Sequence, residues 1–406
     1  MEINSKEWVD FSEDIAKYII SRSFKGKDDS GSFDRAFIGA QTLMTDTNDW
    51  NIDVDCLDLY DGNAGTALFF ANLWKVTGNK EYYNYAFEAI QPIVFIVDRR
   101  YEEDYKSSVG AYKGLGGLVY AINKIELLTN AQTLYSTING LYDIIGNNID
   151  EDVNYDFIGG GIGCLACLLS VYEKPCDESL KDRALDLSIR IYKFLNTKFK
   201  STKDGKVIDL DRKQLNSGFA HGTSGFAPYL YKLYTITHEN EILELVKGII
   251  KYERSVFYSK DIPGWHSSIE KKEMDVSWCN GVAGILLSKL LLKEYGYDDK
   301  VLDSEIKLAF ESVCRVSLGN NLPYCHGDIS ALAIIRYYSN VMNDKGLEKK
   351  CINIYQQLYE YLKNEWTNSK KSLNRYNGLM LGAAGLGYSM IKQYDYKNID
   401  EFLWLV

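Results

Sequence analysis

A motif of two glycines separated by two residues recurs along the chain and constrains the fold more than any other feature. Six copies keep both glycines, and each opens an apolar run. Their first glycines are Gly62, Gly114, Gly160, Gly222, Gly281 and Gly382. A further copy, sixth in chain order, begins at Gly327 and has Ser330 in place of the second glycine. Successive copies lie 46 to 62 residues apart, so each interval has room for two helices and their loops.

The segments between the motifs predict two kinds of helix. Each motif opens a run that is apolar on nearly all sides, as is typical of a fully buried helix. The second half of each interval is amphipathic, and in residues 180–195, for example, Ala184, Leu187 and Ile191 share one face. The chain has only 5 Pro, so little interrupts long helices. Alternation of polar and apolar residues, which would indicate strands, does not extend over any useful length.

Buried and half-buried helices in alternation predict an all-α fold, an α/α toroid with about seven inner and about seven outer helices. Residues 51–406 would form this ring as one domain. Residues 1–50 lack the repeat, and the segment from Phe11 to Ile20 predicts a helical extension packed on the ring. Because all inner helices of such a ring start on the same face, we expect residues beside the seven motifs to converge in space.

Charge and hydropathy exclude several classes of protein. The net charge of -10, from 46 basic and 56 acidic residues, argues against a nucleic-acid binder, because phosphate contacts need clustered Lys and Arg. No apolar run approaches the roughly 18 residues needed to cross a bilayer, and the N-terminus lacks a basic segment followed by an apolar one. We therefore expect a cytoplasmic protein without a membrane span. In that compartment the 8 Cys are expected to be free thiols.

Three of the seven motifs carry chemically reactive residues just before their first glycine. His221 comes directly before the fourth motif, and Cys279 lies two residues before the fifth. Cys325 and His326 directly precede the sixth, so two of the 4 His in the chain occupy matching positions. Two thiols and an imidazole on one face are zinc ligands, and three protein ligands leave the fourth tetrahedral position open, as in catalytic zinc sites.

Other candidate residues are weaker. Cys164 and Cys167 have C-x-x-C spacing, but they lie in an apolar helix and no second pair follows, so we interpret them as core. Asp156 lies four residues before the third motif, where a charge among apolar neighbours fits either a cap-like contact or a functional acid. Helix capping is the expected role of the remaining acids beside the motifs, Asp58, Asp61 and Asp328.

The three motifs that carry reactive residues resemble the signature motifs of the LanC-like lanthipeptide cyclases. The matching residues are His221-Gly222-x-x-Gly225, Trp278-Cys279-x-Gly281 and Cys325-His326-Gly327. Residues 58–65, 110–117 and 378–385 are similar in particular to the cyclase half of the class II (LanM) synthetases. The resemblance extends over about residues 55–392. It implies an α/α toroid, the fold that the repeat predicts independently.

The resemblance also implies a zinc-dependent enzyme and assigns roles to five residues. The family's zinc ligands fall on Cys279, Cys325 and His326. Its proposed acid/base histidine falls on His221, and its nearby acid falls on Asp156. The implied reaction is the Michael-type addition of a peptide Cys thiol to dehydroalanine or dehydrobutyrine. The product is a lanthionine or methyllanthionine thioether ring.

One position departs from the family pattern. Some relatives carry Arg four residues before the first zinc Cys, where this chain has Asp275, so the role of that Arg does not carry over.

The implied partner is a dehydrated precursor peptide with a Ser/Thr/Cys-rich core. Five tyrosines beside the motifs are available to contact it, although packing is the expected role of most: Tyr60, Tyr112, Tyr155, Tyr324 and Tyr376. The chain has no room for the dehydratase half of a class II enzyme, which predicts a separate dehydratase or a cyclase domain cut from a longer protein. The initial Met1 favours the stand-alone form.

Three other functions stay open from the sequence. A LanC-like protein that adds glutathione to dehydrated proteins would use the same chemistry on another substrate. A glycoside-active α/α toroid would need paired carboxylates, such as two among Asp61, Asp156 and Asp328, and would leave the two thiols and imidazole without a purpose. A non-catalytic peptide-binding scaffold is the third, and the complete ligand set and His221 argue against it.

Overall fold

The computed structural model describes residues 5–27, 31–42, 50–98, 108–208, 216–259, 264–270, 274–315, 322–368 and 376–405. These residues form two concentric rings of helices, so the predicted α/α toroid is confirmed. The inner ring consists of α2 (Asn63–Thr77), α4 (Leu115–Thr129), α6 (Gly161–Glu173), α8 (Phe226–Thr237), α10 (Val282–Glu294), α12 (Asp328–Val341) and α14 (Ala383–Tyr394). The outer ring consists of α1 (Ser5–Ile20), α3 (Lys80–Asp98), α5 (Tyr135–Asn148), α7 (Lys181–Lys198), α9 (Asn240–Val256), α11 (Leu302–Cys314) and α13 (Lys345–Asn368).

The two rings differ in burial as their hydropathy predicts. Residues 63–73 of α2 and residues 115–126 of α4 are buried without interruption, because helices of both rings surround each inner helix. Outer helix α9 instead buries one stripe, which includes Ile242, Val246 and Ile249. Each such side chain contributes about 1.5–3 kcal/mol when it leaves water completely. No helix in the described part of the chain is both long and apolar enough to cross a membrane.

The N-terminal helix α1 supplies the seventh outer helix. It packs against α14 and α2, in the place where an outer helix following α14 would lie. Its Phe11 ring meets the Tyr359 ring of α13 edge to face at 5.6 Å, and Ser12 Oγ donates to the Gly387 carbonyl at 3.0 Å. A helix in the N-terminal 50 residues was predicted, and it is longer than the segment from Phe11 to Ile20. The domain boundary after residue 50 stays a prediction.

The expectation of almost no strand was wrong. Strands β1 (Ser23–Lys27), β2 (Phe33–Thr42) and β3 (Trp50–Val54) form an antiparallel sheet in that order. Two hairpins follow later in the chain. They are β4 (Phe199–Thr202) with β5 (Gly205–Ile208), and β6 (Tyr258–Ser259) with β7 (Gly264–Trp265).

The hydropathy of β2 conceals its alternation. Arg35 faces the core, where its guanidinium Nη2 lies 2.7 Å from Glu88 Oε2 of α3. Phe37, two residues on, is completely buried, whereas the neighbouring Ile38 is partly exposed and faces outward together with Val54, its partner on β3. The buried face of β2 thus carries Arg35 where an apolar residue would be expected. The side chains alternate between buried and outer faces, but polar and apolar residue types do not alternate along the sequence.

The C-terminal segment fills the interior of the inner ring. Tyrosine hydroxyls from three different repeats donate to its carbonyls: Tyr112 to Phe402 at 2.9 Å, Tyr229 to Trp404 at 2.7 Å and Tyr388 to Asp400 at 2.8 Å. The 3₁₀ turn Phe402–Trp404 and Leu405 are buried. The ring is therefore a packed core, and its accessible chemistry lies at the rim where the inner helices begin.

Candidate metal and acid-base site

The loop before each inner helix folds over the start of that helix. In the first repeat, the backbone N–H groups of residues 63–65 donate to the carbonyls of residues 56–58 at 2.8–3.4 Å, and α4 and α14 repeat this arrangement. The loop carbonyls therefore satisfy amides that a capping side chain would otherwise bond. The N-cap residue of α2 is Gly62, without a side-chain cap, so the capping role expected of Asp58 and Asp61 was wrong. Asp58 instead accepts from two turn amides of its own loop.

The second glycine of each motif is required by close approach of the loop. In all six copies that keep it, an added Cβ would lie only 1.9–2.6 Å from the carbonyl oxygen of the residue three places before the first glycine. A side chain at that position would expel the carbonyl. The sixth copy has Ser330 there, and its Oγ donates to the Gly327 carbonyl at 2.9 Å. The sixth loop therefore lacks this glycine contact, although it keeps the bond from Ile329 N to Leu322 O at 3.4 Å, the counterpart of Ala64 N to Leu57 O.

Backbone hydrogen bonds join six of the seven pairs of neighbouring loops at the rim. The donors and acceptors cluster at the residue two places before the first glycine of each motif. The bonds run from Met380 N to Tyr60 O (2.9 Å), Tyr60 N to Tyr112 O (3.1 Å), Tyr112 N to Ile158 O (3.0 Å), Phe157 N to Ala220 O (3.1 Å), Ala220 N to Cys279 O (3.1 Å) and Cys325 N to Met380 O (3.2 Å). The fifth and sixth loops, residues 277–281 and 323–327, are both described and share no such bond. We call this interruption between Cys279 and Cys325 the open joint.

The two predicted thiol ligands meet at the open joint. Cys279 and Cys325 are both buried and share a side-chain hydrogen bond. This bond lowers the pKa of the Cys279 thiol and raises the pKa of Cys325, because one proton serves both sulfurs. Ser277 Oγ also lies 3.5 Å from Cys279 Sγ, at hydrogen-bond distance for sulfur. The pair thus holds one sulfur close to the thiolate form that binds metals.

The third predicted ligand is less enclosed. His326 follows Cys325 directly and is exposed at the rim. Neighbouring protein atoms lower the pKa of its imidazole by excluding water, and the Asp275 carboxylate opposes this shift. The neutral imidazole that results at neutral pH is the form that ligates metal ions.

The residues fit a zinc ion in their chemistry but are not gathered into a complete set. Two buried, hydrogen-bonded thiols are the donors that zinc prefers, and a neutral histidine stands beside them in sequence. Among the residues that the structure describes, no three His, Cys, Asp or Glu side chains lie close enough together to hold a metal ion. The structure therefore brings Cys279 and Cys325 together and leaves His326 outside their contact.

The predicted acid-base residues form a second pair at the same rim. His221 Nδ1 lies 2.9 Å from Asp156 Oδ2, across the third and fourth loops. Asp156 is 1% exposed, and its Oδ1 accepts from the Gly159 N–H at 2.8 Å, which fixes the carboxylate. His221 keeps 26% of its side chain exposed. The imidazole therefore has one nitrogen held by a buried acid, with Nε2 left for a substrate.

Backbone contacts place this pair next to the thiols. The N–H groups of Ala220 and His221 both point to the Cys279 carbonyl, at 3.1 and 3.4 Å. Phe157 and Phe219, in the loops that carry Asp156 and His221, are buried, and their ring centroids lie 4.9 Å apart. Backbone contacts and buried aromatic packing thus link the loops that carry Asp156, His221 and Cys279.

The sequence predicted other roles for two groups near this site, packing or peptide contact for Tyr60 and helix capping for Asp61. Burial, aided by the nearby Cys325 thiol, raises the pKa of the Tyr60 hydroxyl. Tyr60 occupies the same motif position as both cysteines, which is the signal that could have identified it. Burial, aided by the Asp58 carboxylate, raises the pKa of Asp61 to about 8. Within the described residues Asp61 Oδ1 has no hydrogen-bond partner. The first loop therefore supplies two buried polar groups near Cys325.

Comparisons with known proteins agree with this architecture. A family model described as lanthionine synthetase C-like protein matches residues 53–405. Lacticin 481/lactococcin biosynthesis protein LcnDR2 from Lactococcus lactis subsp. lactis is 25% identical in an alignment of 202 residues, and the match covers 46% of this chain and 21% of that protein. The chain thus spans about a fifth of the length of this relative.

A solved structure shares the fold. Nisin cyclase superposes with a TM-score of 0.67 at 20% sequence identity, covering 86% of this chain and 92% of that one. Because the identity is low, the likeness concerns the arrangement of the helices in the toroid.

Proposed function

Because the chain belongs to the lanthionine synthetase C-like family, we propose that it is a lanthipeptide cyclase. Its substrate would be a dehydrated precursor peptide that holds both a Cys thiol and a dehydroalanine or dehydrobutyrine. In the reaction the thiol loses its proton and the sulfur bonds to the alkene β-carbon. The π electrons move to form an enolate, and the α-carbon then takes up a proton, so the peptide gains a thioether ring without a change in mass.

One observation carries the proposal: the Asp156–His221 pair and the Cys279–Cys325 thiol pair lie on adjoining loops of one rim. The reaction needs an activated sulfur and a proton carrier within reach of the same peptide. The hydrogen bonds from Ala220 and His221 to the Cys279 carbonyl hold these two functions together.

Cys279, Cys325 and His326 would hold Zn²⁺. When bound, Zn²⁺ supplies a Lewis acid that lowers the pKa of a coordinated thiol below the usual value of about 8.5. Donation by two protein thiolates keeps the site nearly neutral in charge, which favours an electron-rich sulfur.

His221 would move the proton. With Asp156 accepting from Nδ1–H, the neutral imidazole has an unprotonated Nε2, the form that accepts a proton from the substrate thiol. The imidazolium that forms is stabilised by the buried Asp156 carboxylate. His221 then returns the proton to the α-carbon, acting as a general acid after acting as a general base.

The test is ring formation in a peptide that holds one dehydroalanine and one Cys. Thiol alkylation before and after incubation, read by mass spectrometry, counts the free thiols that ring formation consumes. We expect loss of the thiol with the wild-type chain and with Cys314→Ala, a matched control because Cys314 is exposed on α11. We expect a slower reaction with His221→Ala. Equal rates for the wild-type chain and His221→Ala would contradict the proposed acid-base role.

A second arm separates the peptide substrate from a free thiol. Glutathione and a peptide with dehydroalanine but no Cys are offered together, and a glutathione adduct would identify the alternative activity. We also propose a separate or covalently linked dehydratase as the source of the dehydrated peptide, since LcnDR2 is much longer than its matched part.

A further inference from the structure

The start of the fourth inner helix differs from that of the other repeats. In the first, second, third, sixth and seventh repeats, the N–H of the third motif residue donates to the carbonyl seven residues before it, at 2.9–3.4 Å. In the fourth repeat that carbonyl belongs to Ser217, and it accepts from the hydroxyl of Ser224 at 2.5 Å. The chain also forms a 3₁₀ turn there, Thr223–Gly225, before α8 begins. A side chain therefore closes the loop that carries His221.

The fourth motif is the only one with a hydroxyl at its third position. The third residues of the other six motifs are Ala64, Gly116, Ile162, Ala283, Ile329 and Ala384. Because three of these are alanine, the motif folds without a side-chain hydrogen bond at this place. The fourth motif is also the one preceded by His221, the histidine paired with Asp156. The unusual hydroxyl thus occurs in the loop of the proposed proton carrier.

A buried carboxylate from the outer ring contacts the same hydroxyl. Ser224 Oγ lies 2.7 Å from Glu253 Oε2 of α9, and Glu253 is 5% exposed. Lys289 Nζ of α10 lies 2.8 Å from Glu253 Oε1 and 3.1 Å from Glu305 Oε2 of α11. Since lysine and glutamate are almost never fully buried unless they are paired, these contacts fix the carboxylate in one orientation. Glu253 in turn fixes the Ser224 hydroxyl.

We propose that Ser224 is a positioning residue for His221, whose hydroxyl, held by Glu253, determines the path of the fourth loop and the place of the imidazole. The inference rests on the proposed function, because it assumes that His221 carries the proton. A misplacement of about 1 Å in a reacting group can cost roughly 100-fold in rate. A single hydrogen bond at the base of the loop is therefore enough to matter for catalysis.

The hydroxyl acts on the stretch of backbone between two serines. Ser217 and Ser224 lie on either side of His221, so the bond between them closes the loop that carries the imidazole. Ser217 is also held at its own end, where its Oγ donates to the His266 carbonyl at 2.7 Å. The carboxylate of Asp156 belongs to the third loop and is fixed there. A shift of the fourth loop would therefore change the 2.9 Å distance between His221 Nδ1 and Asp156 Oδ2.

The experiment compares Ser224→Ala with Ser389→Ala. The first variant removes the hydroxyl and introduces the residue that three other motifs have at this position, so it is expected to fold. Ser389 is a matched control because it is also buried in an inner helix, α14, where its Oγ donates to the Leu386 carbonyl at 2.8 Å. The Tm of each variant is recorded to show that it folds.

Two readouts follow the imidazole. The first is kcat and KM for ring formation, measured in the wild-type and the His221→Ala backgrounds. The second is the downfield NMR signal of the Nδ1–H of His221 in protein labelled with ¹⁵N-histidine. The chain has only 4 His, and the signal is assigned by its loss in His221→Ala.

We expect Ser224→Ala to lower kcat roughly 10- to 100-fold with KM near the wild-type value, and to move the Nδ1–H signal upfield. Ser389→Ala should leave kcat and the signal unchanged. In the His221→Ala background Ser224→Ala should cost nothing further, because residues that act through one group are not additive.

The outcomes separate this inference from the proposed function. A wild-type chain that forms no rings would overturn the proposed function, whereas a shifted Nδ1–H signal in Ser224→Ala alone would still support the positioning of His221. An active wild-type chain, together with unchanged kcat and an unshifted signal in Ser224→Ala, would overturn the role of Ser224 alone. Equal losses of kcat in Ser224→Ala and Ser389→Ala would also overturn it, since general loosening of the inner ring would then explain both.

Discussion

Asp156→Asn is expected to slow ring formation without unfolding the protein. The asparagine carbonyl can still accept from the Gly159 N–H, which Asp156 Oδ1 accepts at 2.8 Å. The amide nitrogen would instead face His221 Nδ1, which lies 2.9 Å from Asp156 Oδ2. Because that nitrogen is a donor, the imidazole is driven to the tautomer with its proton on Nε2. That tautomer cannot take a proton from the substrate.

The size of the effect follows from the hydrogen bond that is lost. Bonds to charged groups contribute about 1.5–3 kcal/mol, and Asp156 is almost completely removed from water. Since about 1.4 kcal/mol corresponds to a factor of ten in rate, we expect ring formation to fall roughly 10- to 150-fold. His221→Ala, which removes the proton carrier itself, is expected to cost roughly 100- to 10,000-fold.

The assay is the rate of thiol consumption in the dehydrated peptide for both single variants and the double variant. If Asp156 acts through His221, then Asp156→Asn costs little more once His221→Ala is present, because residues of one network are not additive. A further loss of the full single-variant factor in the His221→Ala background would refute the reasoning and give Asp156 an independent role.

Two further predictions concern stability. Burial raises the pKa of Glu401 to about 7, so the folded chain holds this proton more tightly than the unfolded chain and stability falls as pH rises from about 4.5 to 7. Glu401→Gln should therefore raise the free energy of unfolding at pH 7.5 by at most about 3 kcal/mol and leave it nearly unchanged at pH 4. An unchanged free energy of unfolding at pH 7.5 would contradict this prediction. Lys289→Met leaves the buried Glu253 without the ammonium that lies 2.8 Å away, and it should lower the free energy of unfolding in urea by about 3–5 kcal/mol. Lys293→Met breaks a more exposed ion pair with Asp303 and should lower it by less than about 1 kcal/mol. Equal losses of stability in the two variants would refute the importance of burial.

The repeat made the toroid predictable, because glycine spacing and apolar runs report directly on close backbone approach and burial. Gly62 and its counterparts stand where the inner helices begin. The seventh outer helix was harder to place, since α1 lies at the opposite end of the sequence from α14, which it covers. Strand β2 was missed because the buried ion pair of Arg35 with Glu88 masks its inner face.

The site was predictable only as far as motif position determines it. Equivalent positions in a ring repeat explain why Cys279 and Cys325 meet and why His221 lies beside them. The direction of a side chain beyond its Cβ is set by local contacts, and for this reason neither the exposure of His326 nor the place of Tyr60 near Cys325 followed from the spacing. The missing backbone hydrogen bond at the open joint likewise did not follow from the motif, because Cys279 and Cys325 occupy equivalent positions.

Zinc content decides whether the thiol pair at the open joint is a catalytic metal site. Wild-type protein, Cys279→Ala and the exposed control Cys314→Ala are purified in parallel, and each sample is measured for zinc per chain and for ring formation. We expect about one zinc per chain and active enzyme for the wild type and Cys314→Ala, as for a single three-ligand site. Both zinc and ring formation should be lost in Cys279→Ala. Full zinc together with full ring formation in Cys279→Ala would contradict the proposed site.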